Sequence, residues 1–196
     1  MYRRILKSLF DFVIALISAL ILLPIFLIIS IAIKIDSKGP VLFKQPRLGI
    51  KGSVFNIFKF RSMVTDQRIF NKTKELYEDD PRITEVGRFL RKRSLDELPQ
   101  IINILRGEMS FIGPRPPTPH FPKRYSEYNE FEKQRFKVKP GISGLAAIRC
   151  REIHDWDINI PIDVEYVNNY SFFYDTKLLL LSLLAFFRSD NVYTKK

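Results

Sequence analysis

From Phe12 to Ile33 the chain reads FVIALISALILLPIFLIISIAI, an apolar run without a charge, bounded by Asp11 and Lys34. A helix needs about 20 such residues to cross the hydrocarbon core of a bilayer, so the run predicts a membrane element. It is longer than the apolar core of a cleavable signal peptide, and no small-x-small cleavage site follows. Pro24 stands just past its middle. Proline lacks an N–H and crowds the carbonyl four residues back, so a bend or break is expected there. Arg3, Arg4 and Lys7 precede the run; Lys34, Lys38, Lys44 and Arg47 follow it. With both flanks basic, the positive-inside tendency gives no orientation for a span. A hairpin that enters and leaves on one side would place both flanks in the cytoplasm. A kinked spanning helix and a re-entrant hairpin both stay open on pattern alone.

Beyond the run the pattern changes to short elements. Val41–Gln45 and Val54–Phe60 read as strands, with Gly49, Lys51 and Gly52 in the turn between them. Residues 66–80 mix charges of both signs and predict a helix and a loop. Thr84 can cap a helix that carries Val86, Phe89 and Leu90 on one face. A second helix is expected near Asp96, with Leu98, Ile101, Ile102 and Leu105 at helical spacing and Gly107 at its end. Gly113 to Pro122 is dense in proline and reads as extended loop. Phe131–Val138 is a basic amphipathic stretch, and Pro140, Gly141 and Gly144 mark another loop. Val164–Asn169 predicts a short helix or strand. Leu178–Phe187 is apolar but too short to span, so it reads as an interfacial or a core helix. The fold class expected is an α-rich α/β unit: a membrane element over residues 1–36 and a catalytic-sized globular domain over 37–196, with amphipathic helices at the interface.

Composition narrows the function classes. The 196 residues carry 32 Lys and Arg against 21 Asp and Glu, a net charge of +11. Such a balance attracts polyanions: nucleic acid, anionic lipid or phosphorylated small molecules. At 46% hydrophobic the chain is not generally disordered. Cys150 is the only cysteine, which rules out an intrachain disulfide and fits a reducing compartment.

The densest charge reversal is Arg91-Lys92-Arg93-Ser94-Leu95-Asp96-Glu97-Leu98-Pro99-Gln100. Ser94 and Glu97 have capping-box spacing. A helix starting at Asp96 would put Pro99 in the tolerant first turn. The positive end of the helix dipole would then keep a carboxylate ionised. Helix capping accounts for a lone Asp-Glu pair. Here three cations precede the pair, and a Pro114-Arg115-Pro116 loop follows the helix. Cations that screen a phosphate let a carboxylate nucleophile approach it. Adjacent acids can also hold Mg²⁺, which takes oxygen ligands together with substrate phosphates. The set describes phosphoryl transfer better than proton shuttling alone. His120 and His154 lack metal-ligand spacing, Cys150 has no partner motif, and neither a Walker loop nor a GxGxxG is present. Nothing resembles a standard nucleic-acid module.

Six ordered blocks carry a resemblance. They are Lys59-Phe60-Arg61-Ser62-Met63, Asp80-Pro81-Arg82-Ile83-Thr84, Gly87-Arg88-Phe89-Leu90-Arg91-Lys92, Ser94 to Gln100, Met109-Ser110-Phe111-Ile112-Gly113-Pro114-Arg115-Pro116, and Pro140-Gly141-Ile142-Ser143-Gly144-Leu145-Ala146. Together with the membrane segment they resemble the bacterial sugar transferases, the monotopic polyprenyl-phosphate phosphoglycosyl transferases, as far as about Asp175. The resemblance implies a re-entrant helix broken at a proline, at the cytoplasmic face of the bacterial inner membrane. It implies a UDP-sugar donor and a polyprenyl phosphate acceptor, usually undecaprenyl phosphate. Membrane lipids are the other expected partner, and nucleic acid is not one. Asp96 matches the family's nucleophile and Glu97 the second acid of the dyad. Mg²⁺ is the implied cofactor, with Asp96 as its contact. Lys59, Arg91, Pro114, Arg115, Pro116 and Arg151 fall at substrate-binding positions.

The chain departs from the family at several places. Leu23 precedes Pro24 where many members have serine, and Ser143 replaces threonine. Ala147 and Cys150 stand where glutamine and glycine are common. With no multi-helix extension ahead of the apolar run, a minimal form is expected. Two other readings compete: a non-catalytic adaptor for acidic lipids, and a nucleic-acid binder. The intact Asp96-Glu97 pair disfavours the first and the apolar run the second.

Overall fold

The computed structural model describes residues 6–64, 80–150 and 155–188. The stretch expected to hold a helix and a loop at 66–80 lies outside the described residues except for Asp80. So do Arg151 and His154.

The apolar run forms helix α1, Lys7–Asp36, which stays helical across Pro24. Of the bend or break expected there, the backbone shows no break. The carbonyl that Pro24 leaves without a donor belongs to Leu20, and both residues sit on the open side of the helix. Lys7, Asp11, Ala15, Ile29 and Ile33 are buried, while Ala19, Leu22 and Phe26 are partly so. Their spacing of three and four residues makes one stripe along the whole helix. That stripe packs on the globular part; on the other side Leu20, Ile21, Leu23, Leu27 and Ile28 are 63–69% exposed.

Both ends of α1 are fastened to the same body. Lys7 Nζ lies 2.7 Å from Asp175, and Asp11 accepts from the Ser110 hydroxyl at 2.7 Å. At the other end the buried Arg61 guanidinium donates to the carbonyls of Ile33, Ser37 and Lys38. It thereby satisfies groups that a helix C-terminus leaves without partners.

Strands β1 (Leu42–Leu48) and β2 (Val54–Phe60) form an antiparallel pair. Gly49, Lys51 and Gly52 lie in the turn between them as expected, and Lys51 and Gly52 take positive φ there. Ile57 and Phe60 of β2 pack under α1. Helix α2, Glu85–Lys92, is capped by Thr84, whose hydroxyl accepts from the Gly87 N–H at 3.0 Å. A β-carbon on Gly87 would collide with the Ser62 carbonyl, so glycine lets α2 lie against the end of β2. A 3-10 helix, Leu95–Gln100, runs into helix α3, Ile101–Leu105, which ends at Gly107 with φ 75°.

The two sequence loops around Gly113 and Pro140 contain a strand pair that the pattern did not predict. Strand β3 (Ser110–Ile112) lies parallel to β4 (Gly141–Ser143). Helix α4 is Leu145–Arg149. The short element expected at Val164–Asn169 is the end of a longer helix, α5, Trp156–Asn169, capped by Asp155. Pro161 obscured it in the sequence, but Ile160, Val164 and Val167 are buried at helical spacing and outweigh the lost donor. Helix α6, Phe172–Arg188, is buried at Leu178, as the core reading expects, while Leu180, Leu183 and Leu184 are exposed. The basic stretch at 131–138 contains a 3-10 helix, Glu132–Lys137. Among the described residues the architecture is helix-rich, with two small two-stranded sheets and one long apolar helix.

Candidate active site

Asp96 and Glu97 sit in the first turn of the 3-10 helix. In such a helix residues three apart eclipse one another. Leu95 and Leu98 share one face and pack with Phe60, Leu90, Ile29 and Ile33. That burial fixes the acid pair on the other sides of the segment. Ser94 enters it with φ 52° and ψ 21°, a left-handed conformation costing about 1–3 kcal/mol for a non-glycine residue. The expected capping box does not form. An N-cap needs extended backbone, which Ser94 lacks, and its side chain makes no cap bond. The Glu97 carboxylate is drawn instead to Lys59 of β2, 2.6 Å away.

The two neighbouring acids differ in their electrostatics. Burial pushes the Asp96 carboxyl up, with Glu97 adding to the rise, while Lys59 and Arg91 oppose it. Glu97 is also desolvated, but Lys59 and Arg115 outweigh that, helped by hydrogen bonds from Lys59 and Gln100, and hold it below the ordinary glutamate value. The shift of Asp96 thus runs opposite to the one a helix dipole alone would give. The terminus is a short 3-10 turn, and burial dominates there.

Glu97, Lys59, Arg47, Gln100, Arg115 and Pro116 line an open cavity together with Ile57, Gly141 and Ile142. Asp96, the neighbour of Glu97 in the chain, is half-buried and is not among the residues lining this cavity. Arg91, in the last turn of α2, acts on Asp96 by its charge.

The loop that carries Arg115 is fastened at four successive carbonyls. Pro114 accepts from the Gly141 N–H at 3.0 Å, and Arg115 from the Arg135 guanidinium at 2.8 Å. Pro116 accepts from Arg47 at 2.9 Å, and Pro117 from the Leu48 N–H at 2.9 Å. Three of these residues are prolines, so the segment has few N–H donors of its own to satisfy. Gly113 and Gly141 let the loop lie directly on β4, since a β-carbon on either would strike the other's backbone segment. The Arg115 side chain is exposed and projects from this rigid base. Pro114 is buried and lines a smaller adjoining depression with Arg135.

The fold therefore gathers Lys59, Glu97, Arg115 and Pro116 at one cavity, and Pro114 lines the adjoining depression; Asp96 and Arg91 are not among the lining residues, Asp96 being tied to the group by chain adjacency to Glu97 and by the charges of Lys59 and Arg91. Arg151 falls outside the described residues. The sequence reading gave no site role to three groups: Arg47, counted only as a flanking charge; Gln100; and the buried Arg135–Asp163 ion pair at 2.5 Å that supports the loop. Only the Pro-Arg-Pro block itself pointed toward such a support.

Among the described residues, no group of three His, Cys, Asp or Glu could cage a metal. Mg²⁺ commonly takes one or two carboxylates and completes its shell with water and substrate phosphates. An Asp-Glu pair beside a cationic cavity fits that mode. Glu97 is already paired with Lys59, and Asp96 has no ion pair among the described residues, so Asp96 is the more available ligand.

The sequence profile of the bacterial sugar transferases matches residues 2–189. The chain is 40% identical to the uncharacterized sugar transferase EpsL of Bacillus subtilis (strain 168), over 96% of this chain and 90% of that protein. It is 38% identical to an undecaprenyl-phosphate glucose phosphotransferase of Komagataeibacter xylinus, over 95% of this chain and 37% of that enzyme. It is 37% identical to a UDP-glucose:undecaprenyl-phosphate glucose-1-phosphate transferase of Escherichia coli (strain K12), over 97% of this chain and 42% of that enzyme. The chain thus spans less than half the length of these two enzymes.

Proposed function

The chain belongs to the bacterial sugar transferase family, and we propose that it transfers a sugar-1-phosphate from a UDP-sugar to polyprenyl phosphate, releasing UMP. The observation that carries this reading is the cavity that Arg47, Lys59 and Arg115 line together with Glu97, the chain neighbour of Asp96, whose carboxyl Lys59 reaches by charge. Cations at that density suit a diphosphate, and a carboxylate next to them suits attack on phosphorus. The names of the relatives support a UDP-hexose donor and undecaprenyl phosphate as acceptor.

In the first half-reaction the Asp96 carboxylate attacks the β-phosphorus. The bond from that phosphorus to the bridging oxygen breaks, UMP leaves with the oxygen, and an aspartyl phosphosugar remains. In the second, a phosphate oxygen of polyprenyl phosphate attacks the same phosphorus and Asp96 is released. Desolvation makes the Asp96 carboxylate a more reactive anion once ionised, and Lys59 and Arg91 oppose its protonation. Arg115 and Lys59 neutralise the donor's charge. Glu97 assists the acceptor step, its ionised form favoured by Lys59. A bound Mg²⁺, held through Asp96 and the donor phosphates, would withdraw charge from the reacting phosphate.

The membrane part of the proposal is a monotopic protein at the cytoplasmic face of the inner membrane, with the continuous helix α1 bent at Pro24 so that it enters and leaves on one side. Fastening of both helix ends to one body supports it, since a straight span would carry them to opposite faces. The apolar outer face of α1 supplies the lipid contact.

The test is incubation of the membrane-reconstituted protein with undecaprenyl phosphate, Mg²⁺ and a panel of radiolabelled UDP-sugars. UMP release coupled to a labelled undecaprenyl diphosphate product is the expected result. Absence of both with every donor overturns the reading.

A further inference from the structure

Arg47 reaches the cavity from the end of β1 and lies in its wall with Lys59, Glu97, Gln100 and Arg115. Its fork is held in place: one nitrogen donates to the Pro116 carbonyl at 2.9 Å, the other to Gln45 Oε1 at 2.7 Å. Both acceptors are neutral, so the positive charge has no direct counter-ion there. Among the described residues no carboxylate forms an ion pair with Arg47 or with Arg115. The nearby Glu97 is itself engaged by Lys59. Two guanidinium groups therefore face one cavity with a single carboxylate shared among three cations.

We propose that Arg47 and Arg115 form a two-guanidinium clamp for the diphosphate of the donor, with Arg47 a binding residue in its own right; this rests on the donor reading above. The geometry suits the task. The two side chains come from different elements, and the Pro116 carbonyl links them, so Arg47 is fixed relative to the residue next to Arg115. A diphosphate offers at least two negative charges and several acceptor oxygens, matching two planar forks better than one. Burial and the neighbouring charge of Arg115 both lower the proton affinity of Arg47. The smaller part of that lowering, from Arg115, comes from like charges held together, and a bound anion would relieve it.

A purely structural role, in which Arg47 only tethers Pro116, makes a different forecast. The test uses the full chain in membrane mimetic, with Arg47→Gln, Arg47→Lys, Arg115→Ala and the Arg47→Gln/Arg115→Ala double variant. The clamp predicts that Arg47→Gln raises KM for the UDP-sugar roughly tenfold or more while KM for polyprenyl phosphate stays within about twofold. It predicts partial recovery in Arg47→Lys and a further loss when Arg47→Gln is added to Arg115→Ala. A tether alone predicts no further loss in the Arg115→Ala background, and that result overturns the clamp. Inorganic pyrophosphate provides a second readout: it should raise the thermal midpoint of the wild type and not that of Arg47→Gln. If that protection depends on Arg47 but no UDP-sugar is turned over, the clamp stands and the substrate reading falls. If UDP-sugar is turned over with an unchanged donor KM in Arg47→Gln, the clamp falls and the substrate reading stands.

Discussion

Lys59 Nζ lies 2.6 Å from Glu97 Oε1, and this ion pair separates two adjacent carboxylates that sequence alone treats alike. Lys59 bonds Glu97 directly and reaches Asp96 by charge only. Glu97 is held down and Asp96 is pushed up. Neighbouring acids with diverging proton affinities are suited to different tasks.

The pair makes a pH prediction. Lys59 favours ionised Glu97, so Lys59→Met should raise the Glu97 pKa. It should raise Asp96 too, since Lys59 also opposes protonation there. Activity that needs either carboxylate ionised is lost as pH falls through its pKa. The acid limb of the kcat/KM profile should therefore move to higher pH in Lys59→Met. Lys59→Arg should restore most of it. An acid limb that stays in place would separate Lys59 from both carboxylates.

Arg115→Ala should weaken use of the donor by roughly tenfold or more, chiefly in KM, because it removes a forked cation from the cavity. The fold should survive. The loop is fastened through backbone carbonyls at residues 114–117, which the substitution leaves in place. Steady-state kinetics with UDP-sugar, read beside a thermal unfolding scan, checks this. Unchanged donor kinetics would remove Arg115 from the site.

Asp80 is tied to Arg82 by its side-chain and backbone hydrogen bonds, and its pKa is lowered from 3.8 to about 2. A carboxylate depressed in the folded state stabilises the fold fully above its unfolded value and loses that contribution as pH falls toward the folded one. Asp80→Asn should therefore lower the thermal midpoint at pH 7, and the gap from wild type should close between about pH 4 and pH 2. Residual folded protein is followed by circular dichroism. A gap that is the same at both ends of that range contradicts the assignment.

Local features were legible in the sequence, and long-range pairings were not. β2, the Thr84 cap and the Gly107 stop follow from composition within a few residues, and the structure has each of them. The β3–β4 pair was hidden because its strands are three residues long and flanked by proline and glycine, which read as loop. Helix α1 runs through Pro24 because the stripe from Ala15 to Ile33 is anchored on both sides of it. At the site, the Asp96-Glu97 string marked the place but not the partners. Lys59 is 38 residues from Glu97 in sequence, Arg47 is 69 from Pro116, and Lys7 is 168 from Asp175. No periodicity links such residues; only the packing of the strands and of α1 brings them together.

The Lys7–Asp175 pair gives a prediction about topology and stability together. It is buried, and Asp175 also accepts from the Tyr166 hydroxyl at 2.7 Å. Removing Asp175 leaves the buried Lys7 ammonium with only the more distant Asp11, 3.7 Å away, so Asp175→Ala should destabilise by less than the about 3–5 kcal/mol of a buried charge left wholly unpaired. The loss should free the start of α1 from the globular body. With the pair intact, a cysteine placed ahead of Lys7 and another after Asp36 should both be shielded from a membrane-impermeant thiol reagent added at the periplasmic side. Labelling of the N-terminal cysteine alone would establish a span and end the one-sided reading.

The nucleophile assignment can be tested without the acceptor. A covalent route gives Asp96 and Glu97 different tasks, and their environments already differ. Asp96→Asn keeps the shape of the side chain and removes the anion, so turnover should fall by several orders of magnitude. No adduct should form. Glu97→Gln should also lose turnover, because the acceptor step suffers. It removes the negative partner of Lys59 as well, leaving that cation free to bind phosphate more tightly. The first half-reaction needs only Asp96 and the cations, so Glu97→Gln should still release some UMP and accumulate a phosphosugar on the protein. Intact-protein mass spectrometry after incubation with UDP-sugar and Mg²⁺, followed by peptide mapping, reads the result. The expected adduct maps to the peptide holding Asp96. An adduct on another residue, or full activity in Asp96→Asn, overturns the assignment. Normal turnover in Glu97→Gln would leave Asp96 standing and reduce Glu97 to the anchor that Lys59 holds.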